Sequence, residues 1–342
     1  MPLSNRYSRA ASSAPSPTFF VVTFADVGRG GLLLRIPIVS ASFHSALTAS
    51  AEAASSQHYP QGTLYVIATP IGNLADISLR ALHVLSLVDF VACEDTRHTL
   101  GMLRAYGIDK RNDQLIAVHQ HNETEAASHV VEHLQSGRRV AYVSDAGTPG
   151  ISDPGSRLVD VVQSSRLRCL PLPGPSSVTT LLSVAGTSTA HAGPTGFVFQ
   201  GFLSTKTTER DRSIEAIAQD PRAVVLLEAP HRIEALLRAL GTLGQRRVTV
   251  GRELTKQFEE IVTLPAAQLA DWMSQDANRA RGEFSLVIHA APTAPQEGLD
   301  TRVLQLLLEQ LPLKTAVKLT AEITGQSRNA LYERAVEMKG RD

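Results

Sequence analysis

The chain has 342 residues, 43% of them hydrophobic and 19% charged, with 33 basic residues balanced by 33 acidic ones. That length exceeds what one core usually fills, so two or three domains are expected, and ordinary Gly and Pro contents exclude collagen-like or wholly disordered classes. A formal net charge of zero excludes a globally basic nucleic-acid coat but leaves room for a local basic patch, because phosphate binding depends on where Arg and Lys lie.

The only cysteines, Cys93 and Cys169, are too few and too far apart for a disulfide framework or a four-thiolate zinc site, so a reducing, cytoplasmic location is expected. No run reaches the about 18–20 uninterrupted apolar residues of a membrane helix. Residues 1–57 are Ala/Ser-rich, with Arg6, Arg9, Arg29 and Arg35 as their Arg/Lys complement and Asp26 and Glu52 as their acids. A disordered extension, or a start placed too far upstream, is the expectation there, with a transit peptide as the alternative. The apolar runs in this stretch are short, late and Arg-interrupted, which disfavours a secretory signal.

From Gly62 onward, short β-branched runs alternate with helical periods, the pattern of parallel strands joined by crossover helices. Strands are expected at 63–69 (TLYVIAT), 90–94 (FVACE), 114–119 (QLIAVH), 139–144 (RVAYVS) and 168–172 (RCLPL). Between them the clearest helix is 123–135, where Ala126, Val130, Val131 and Leu134 share one face. A second strand-rich stretch follows at 197–201, 223–228, 247–253, 259–264 and 284–290. Strands 247–253 and 259–264 are too close for a crossover helix, so they should form an antiparallel hairpin and make that sheet mixed.

Beyond Pro292 the chain turns helical, at 301–311, 312–324 and 327–339. The last two resemble a helix-turn-helix pair, with Gly325 suited to a C-terminal cap and Ser327 to the next start. Such a pair either packs as a small lid or contacts RNA through Lys314, Lys318, Arg328 and Arg334. The domains expected are 58–182 and 183–292, both α/β, and a helical module at 293–342 after the 1–57 extension.

Open α/β sheets bind ligands beyond the carboxyl ends of their strands. Three loops rich in small residues stand at such ends: 69–74 (TPIGNL), 144–150 (SDAGTPG) and 173–177 (PGPSS). Pro and Gly there let the backbone turn tightly and approach a ligand. Neither G-x-G-x-x-G opening a helix nor G-x-x-x-x-G-K-[ST] occurs, so a phosphate cradle loses its physical basis. A ligand held by main-chain groups with few charges remains.

The segments ATPIGNLADISLRAL (68–82), EDTRHT (94–99), HQHNE (119–123), VSDAGTPGISDPG (143–155), PLPGPSS (171–177), EAPHR (228–232) and RELTK (252–256) occur in this order. Together they resemble the tetrapyrrole-methylase-like superfamily, and within it the branch that methylates ribosomal RNA. The likeness spans residues 60–339. One departure is FLSTK (202–206), where Ser204 stands at a position that usually holds Pro, which puts the local loop geometry in doubt.

What the resemblance implies is a pair of α/β domains of the tetrapyrrole methylase type with a cofactor cleft between them. S-adenosylmethionine would be the cofactor and the ribose 2′-oxygen of a cytidine in 16S rRNA of the small ribosomal subunit the acceptor, in a homodimer. By the same resemblance Pro70, Ile71, Gly72, Asn73, Ser144, Asp145, Ala146, Gly147, Ile151, Ser176, Glu228, Ala229 and Pro230 would hold the donor. Asp145 would pair with the donor's amino group or ribose, or else brace its own loop.

Transfer of a methyl group to a hydroxyl needs alignment and removal of a proton. The candidates for that chemistry are Glu94, Asp95, Glu123, Glu228, Glu253 and Lys256, among which the sequence does not choose. The Asp95–Arg97 spacing fits a bracing ion pair equally well. For RNA phosphates the candidates are Arg97, Lys206, Arg232, Arg252 and Lys256, extended by Arg138–Arg139 and Arg246–Arg247, each of which has an ordinary surface role as its alternative. His119 and His121 are spaced as two ligands on one side of a strand but lack a third, so no metal is expected. The alternatives to rRNA methylation are methylation of a corrin or porphyrin ring and a non-catalytic RNA-binding assembly factor on the same fold.

Overall fold

The computed structural model describes residues 43–119, 122–153, 155–187, 196–291 and 297–339. Its first sheet holds β1 (Thr63–Ile67), β2 (Phe90–Cys93), β3 (Leu115–Ala117), β4 (Val140–Val143) and β5 (Arg168–Leu172), in the spatial order β3-β2-β4-β1-β5. Every pairing in it is parallel. Parallel strands need crossovers, supplied by helices α2 (Leu79–Leu87), α3 (Thr96–Ala105), α4 (Glu123–Gln135) and α5 (Gly155–Ser164).

Strand side chains alternate between the two faces. Tyr65, Ile67, Val91, Cys93 and Val143 therefore meet Leu82, Leu85, Leu103 and Tyr106 on one side. Leu64, Ala92, Val140 and Tyr142 meet Ala127, Val130, Leu134 and Leu158 on the other. Covered on both faces, β4 is buried at all four positions, which explains its uninterrupted apolar run.

The second sheet holds β6 (Phe197–Gly201), β7 (Ala223–Glu228), β8 (Arg247–Arg252), β9 (Glu260–Pro265) and β10 (Phe284–Ile288), in the order β6-β7-β10-β8-β9. Only β6 and β7 pair in parallel, across α7 (Thr207–Gln219). The β8–β9 hairpin is antiparallel, as are β10–β7 and β10–β8. One face packs on α7, α8 (Ile233–Leu240) and α9 (Leu269–Ser274). The other receives α6 (Ser177–Ala185), whose Val178, Leu181 and Ala185 join Val225, Val287, Leu254 and Ile71 in a cluster between the sheets. A domain boundary at 182 therefore falls inside a helix that follows the first sheet and packs on the second.

The expectation that residues 1–57 lie outside the fold is corrected from Phe43 onward. Helix α1 (His44–Ala54) packs on α2, burying Ser50 and Ala54, and Phe43 sets its ring edge-on to Tyr106 at 5.0 Å between centroids. An Ala/Ser-rich composition resembles a disordered tail because it offers little apolar area, yet Ala is the strongest helix former and a narrow stripe suffices against a ready surface.

At the other end, α10 (Glu297–Gln310), α11 (Leu313–Thr324) and α12 (Arg328–Lys339) pack through Leu304, Val317, Leu331 and Ala335. Gly325 ends α11 in the left-handed conformation expected of it. Among the described residues no helix is long and apolar enough to cross a membrane.

Candidate active site

In the first sheet the strand order reverses between β1 and β4, and their carboxyl ends open the crevice in which such sheets bind ligands. Residue pairing sets its shape. Thr69 and Gly147 exchange backbone hydrogen bonds of 2.9 and 3.1 Å, and the Thr69 hydroxyl donates to the Ser144 carbonyl at 3.1 Å. Gly147 sits at φ +87°, where a Cβ would also press on Ile71, so glycine is required. The Thr148 hydroxyl ties this loop to the Pro175 carbonyl at 2.9 Å.

Asp153 shapes the end of the same loop: its carboxylate accepts from the Gly150 and Gly155 amides at 2.6 and 2.8 Å and from the Tyr142 hydroxyl at 3.1 Å. Burial, with the neighbouring Asp153 and Glu94 carboxylates, pushes the Tyr142 phenol well above its ordinary value, so it stays a donor.

These loops and the second sheet enclose a cavity of about 420 Å³. Of the residues expected at the donor, it is lined by Ile71, Ser144, Ala146, Gly147, Ile151, Ser176, Glu228, Ala229 and Pro230. Pro70, Gly72 and Asp145 line an adjoining chamber of about 520 Å³ instead. Asn73 lines neither; it caps the turn Leu74–Asp76 by accepting from the Ala75 amide.

The sequence reading missed Asp153, Phe202 and Glu283 as lining residues. Asp153 lay within a motif already singled out. Glu283 carried no local signal, since it reaches the cleft only through the antiparallel pairing of the neighbouring β10.

The proton-transfer candidates separate by position. Glu94 lines the cavity and accepts from the Asp145 amide at 3.3 Å. Burial, with the Asp145 and Asp153 carboxylates nearby, raises its pKa. Asp95 instead caps α3, accepting from the amides of Arg97 and His98 at 2.8 and 3.2 Å, which holds its carboxyl below its ordinary value. Glu123 stands on the first turn of α4, 3.6 Å from Arg157, and lines neither space.

Glu228, with its side chain 1% exposed, meets Arg232 at 3.1 Å and accepts from the Ala229 amide. Lys256 donates to Glu253 at 2.9 Å and Glu283 at 3.1 Å. Burial opposes the charge of both Glu253 and Lys256, but their hydrogen bonds prevail, so the Glu253 pKa falls and that of Lys256 rises. Glu253 and Thr255 hold φ of +50° and +66°, and Ser152 in the cavity wall holds +69°. Non-glycine residues adopt this region at a cost that their surroundings must sustain.

Two of the expected phosphate contacts are internal braces. Arg252 is buried and donates to the carbonyls of Arg281 and Phe258 at 2.6 and 3.2 Å. Arg232 donates to the Leu203 carbonyl besides pairing with Glu228. Arg246 is likewise buried, with carbonyls of His289 and Ile217 both at 2.7 Å, and Arg139 donates to the Tyr59 carbonyl. Such groups are already committed and desolvated, whereas Arg97, 93% exposed, and Lys206, 77% exposed beside Glu209, remain accessible.

No group of three or more His, Cys, Asp or Glu suited to a metal occurs among the described residues. The His119 amide donates to Asn122 Oδ1 at 2.8 Å, and His121 lies outside the described residues.

The family of tetrapyrrole (corrin/porphyrin) methylases matches residues 63–270, and an RsmI C-terminal HTH domain matches residues 294–339. Fold and cleft thus define a two-domain α/β methylase. The chain is 44% identical over 288 residues to the ribosomal RNA small subunit methyltransferase I of Pseudomonas aeruginosa, covering 82% of this chain and 99% of that one. It is 43% identical to the protein of the same description from Escherichia coli O157:H7, over 82% of this chain and 96% of that one. Among solved structures, a cobalamin biosynthetic enzyme, cobalt precorrin-4 methyltransferase, shares the fold at a TM-score of 0.50 and 16% identity, covering 68% of this chain and 98% of the other. The chain belongs to the tetrapyrrole methylase family, in its ribosomal RNA small subunit methyltransferase I branch.

Proposed function

We propose that the chain transfers a methyl group from S-adenosylmethionine to the ribose 2′-hydroxyl of a cytidine in 16S rRNA of the small ribosomal subunit, in the cytoplasm and as a homodimer. The observation that carries this reading is an acidic cavity joined to a second space that carries both signs of charge. The 420 Å³ cavity has Glu94, Asp153, Glu228 and Glu283 in its wall and no Lys or Arg, while the wall of the adjoining chamber sets Arg97 and Lys256 beside Asp145 and Glu283.

The cavity lies within the about 300–1,000 Å³ of small-cofactor pockets. Its carboxylates suit a donor bearing a sulfonium and an ammonium and repel one built of phosphates. Gly147 allows main chain to approach where a Cβ would intrude, and the buried side chains of Ser144, Ser176 and Ser285 offer neutral polar partners. The residues present therefore fit this cofactor. Ile71, Ser144, Ala146, Gly147, Ile151, Ser176, Glu228, Ala229 and Pro230 would hold it, and when bound it supplies an activated methyl group.

The protein's own work is to align the acceptor and take its proton. With a donor bound, Glu94 would take the proton that the ribose hydroxyl gives up as its oxygen accepts the methyl group. Its raised pKa makes it a better acceptor than an ordinary surface carboxylate. Asp95 caps α3, Glu123 pairs with Arg157, Glu228 braces Arg232, and Lys256 holds Glu253 and Glu283 in place. Arg97 and Lys206 offer exposed charge to the RNA backbone.

The test is transfer of labelled methyl from S-adenosylmethionine to small subunits lacking the modification, with the product nucleotide mapped by mass spectrometry. Ribose methylation of one cytidine is expected. Label entering a corrin or porphyrin offered in the same assay, and not the RNA, would favour ring methylation; no label at saturation would favour an assembly factor.

A further inference from the structure

The adjoining chamber is not needed to hold a donor, yet its wall is specifically built. It shares Ile71, Ala146 and Glu283 with the donor cavity, so an occupant would lie directly against the transferred group. Pro70, Leu74 and Met102 give it apolar sides, suited to a flat ring. Its volume of about 520 Å³ is that of a small-molecule site.

Two features of its wall are not fully accounted for by the fold. Gly101 sits inside helix α3, where glycine costs about 0.5–1 kcal/mol relative to alanine. Its φ is not positive, and a Cβ placed there meets nothing within 4 Å. Neither backbone conformation nor packing asks for glycine, but its open side lies on the chamber. The second feature is Asp145. Its Oδ1 accepts from the Asp95 amide at 3.2 Å, which orients the carboxylate and leaves Oδ2 without a donor among the described residues.

Resting on the RNA-methylation reading above, we propose that this chamber is the pocket for the target base, unstacked from its neighbours, and that Asp145 reads the exocyclic amine of cytosine. A carboxylate accepts from cytosine N4, whereas uracil would place its O4 lone pairs against the same oxygen. Enzymes that must reach an atom shielded by neighbouring bases extrude the nucleotide into such a pocket. Arg97, at the rim and 93% exposed, then meets the flanking phosphate. Asp145 thus selects the base and does not hold the methyl donor.

The test compares small subunits carrying cytidine or uridine at the methylated position, using the full chain and its Asp145→Asn variant. Asparagine keeps an oxygen for the Asp95 amide and turns an N–H group toward the base. The wild-type chain should prefer cytidine by about 10–100-fold in kcat/KM, the worth of one good base contact. The variant should lose that preference or invert it toward uridine, with its calorimetric affinity for S-adenosylmethionine unchanged. Equal losses on both substrates, an unchanged preference, or weakened donor binding would each overturn the assignment. In a second arm, Gly101→Trp should fill the chamber, abolish methylation and leave donor binding and Tm intact. Methylation by that variant at the wild-type rate, or loss of donor binding, would also overturn it. If the wild-type chain methylates neither substrate, the RNA-methylation reading itself fails; if it methylates cytidine and only the variants disobey, the pocket alone is wrong.

Discussion

Gly72→Ala perturbs the cleft at the point where the loop after β1 meets the loop after β8. A Cβ at this position would stand 2.9 Å from Thr255 Oγ1 and 3.0 Å from the Leu254 carbonyl oxygen, and closer still to Lys256 Cγ. The lysine stem can swing aside, although doing so disturbs its bonds to Glu253 and Glu283. The carbonyl cannot, because Thr255 is already held at φ +66°. The loop must therefore back away by about half an ångström, at the about 1–3 kcal/mol typical of overpacking. At about 2–4 °C per kcal/mol, Tm should fall by several degrees.

Pro70 and Gly72 line the adjoining chamber, and Ile71 between them lines both spaces. Misplacement by 1 Å costs about 10²-fold in rate, so kcat should fall by about tenfold while the calorimetric donor affinity changes less. Gly101→Ala serves as the stability control: with no atom in its way, it should raise Tm slightly. Wild-type kcat and Tm in Gly72→Ala would refute the view that contact between these loops sets the geometry of transfer.

Glu94→Gln should lower kcat by about 10²–10⁴-fold, the usual worth of a general base. Because the folded-state pKa of Glu94 is raised, its contribution to stability is present below the unfolded pKa and lost as pH rises through the folded one. The glutamine variant should therefore be more stable than the parent at neutral pH and level with it in acid, as chemical denaturation across pH would show, and wild-type kcat should rise with pH through the same window. Arg246→Met strips five carbonyls of a buried guanidinium and should cost about 3 kcal/mol or more, read as a lowered urea midpoint with donor affinity preserved. Arg97→Ala should weaken binding to small subunits and reduce the slope of log K against log salt by about one unit, with Tm unchanged; an unaltered slope would remove Arg97 from the RNA surface.

The ten strands among the described residues, the helix Glu123–Gln135, the β8–β9 hairpin and the three helices of the C-terminal module follow from local pattern. Period-two and period-3.6 apolar spacing, turn residues and connection length act over a few residues and need no knowledge of the rest of the chain. The loops that form the cleft were legible for the same reason: an open parallel sheet places its ligand at the strand ends.

Only tertiary structure decided which side chains share a space. Ser144 and Asp145 are neighbours in sequence, yet one lines the 420 Å³ cavity and the other the adjoining chamber. Arg97 and Arg252 read alike as candidates for phosphate, yet one is exposed and the other is spent on two carbonyls within the second domain. Glu283 reaches the site from the second sheet, and α1 gains its place from a surface on α2 that its own composition does not announce. A side chain's direction, burial and partners depend on elements far along the chain, and those are set by how the layers pack.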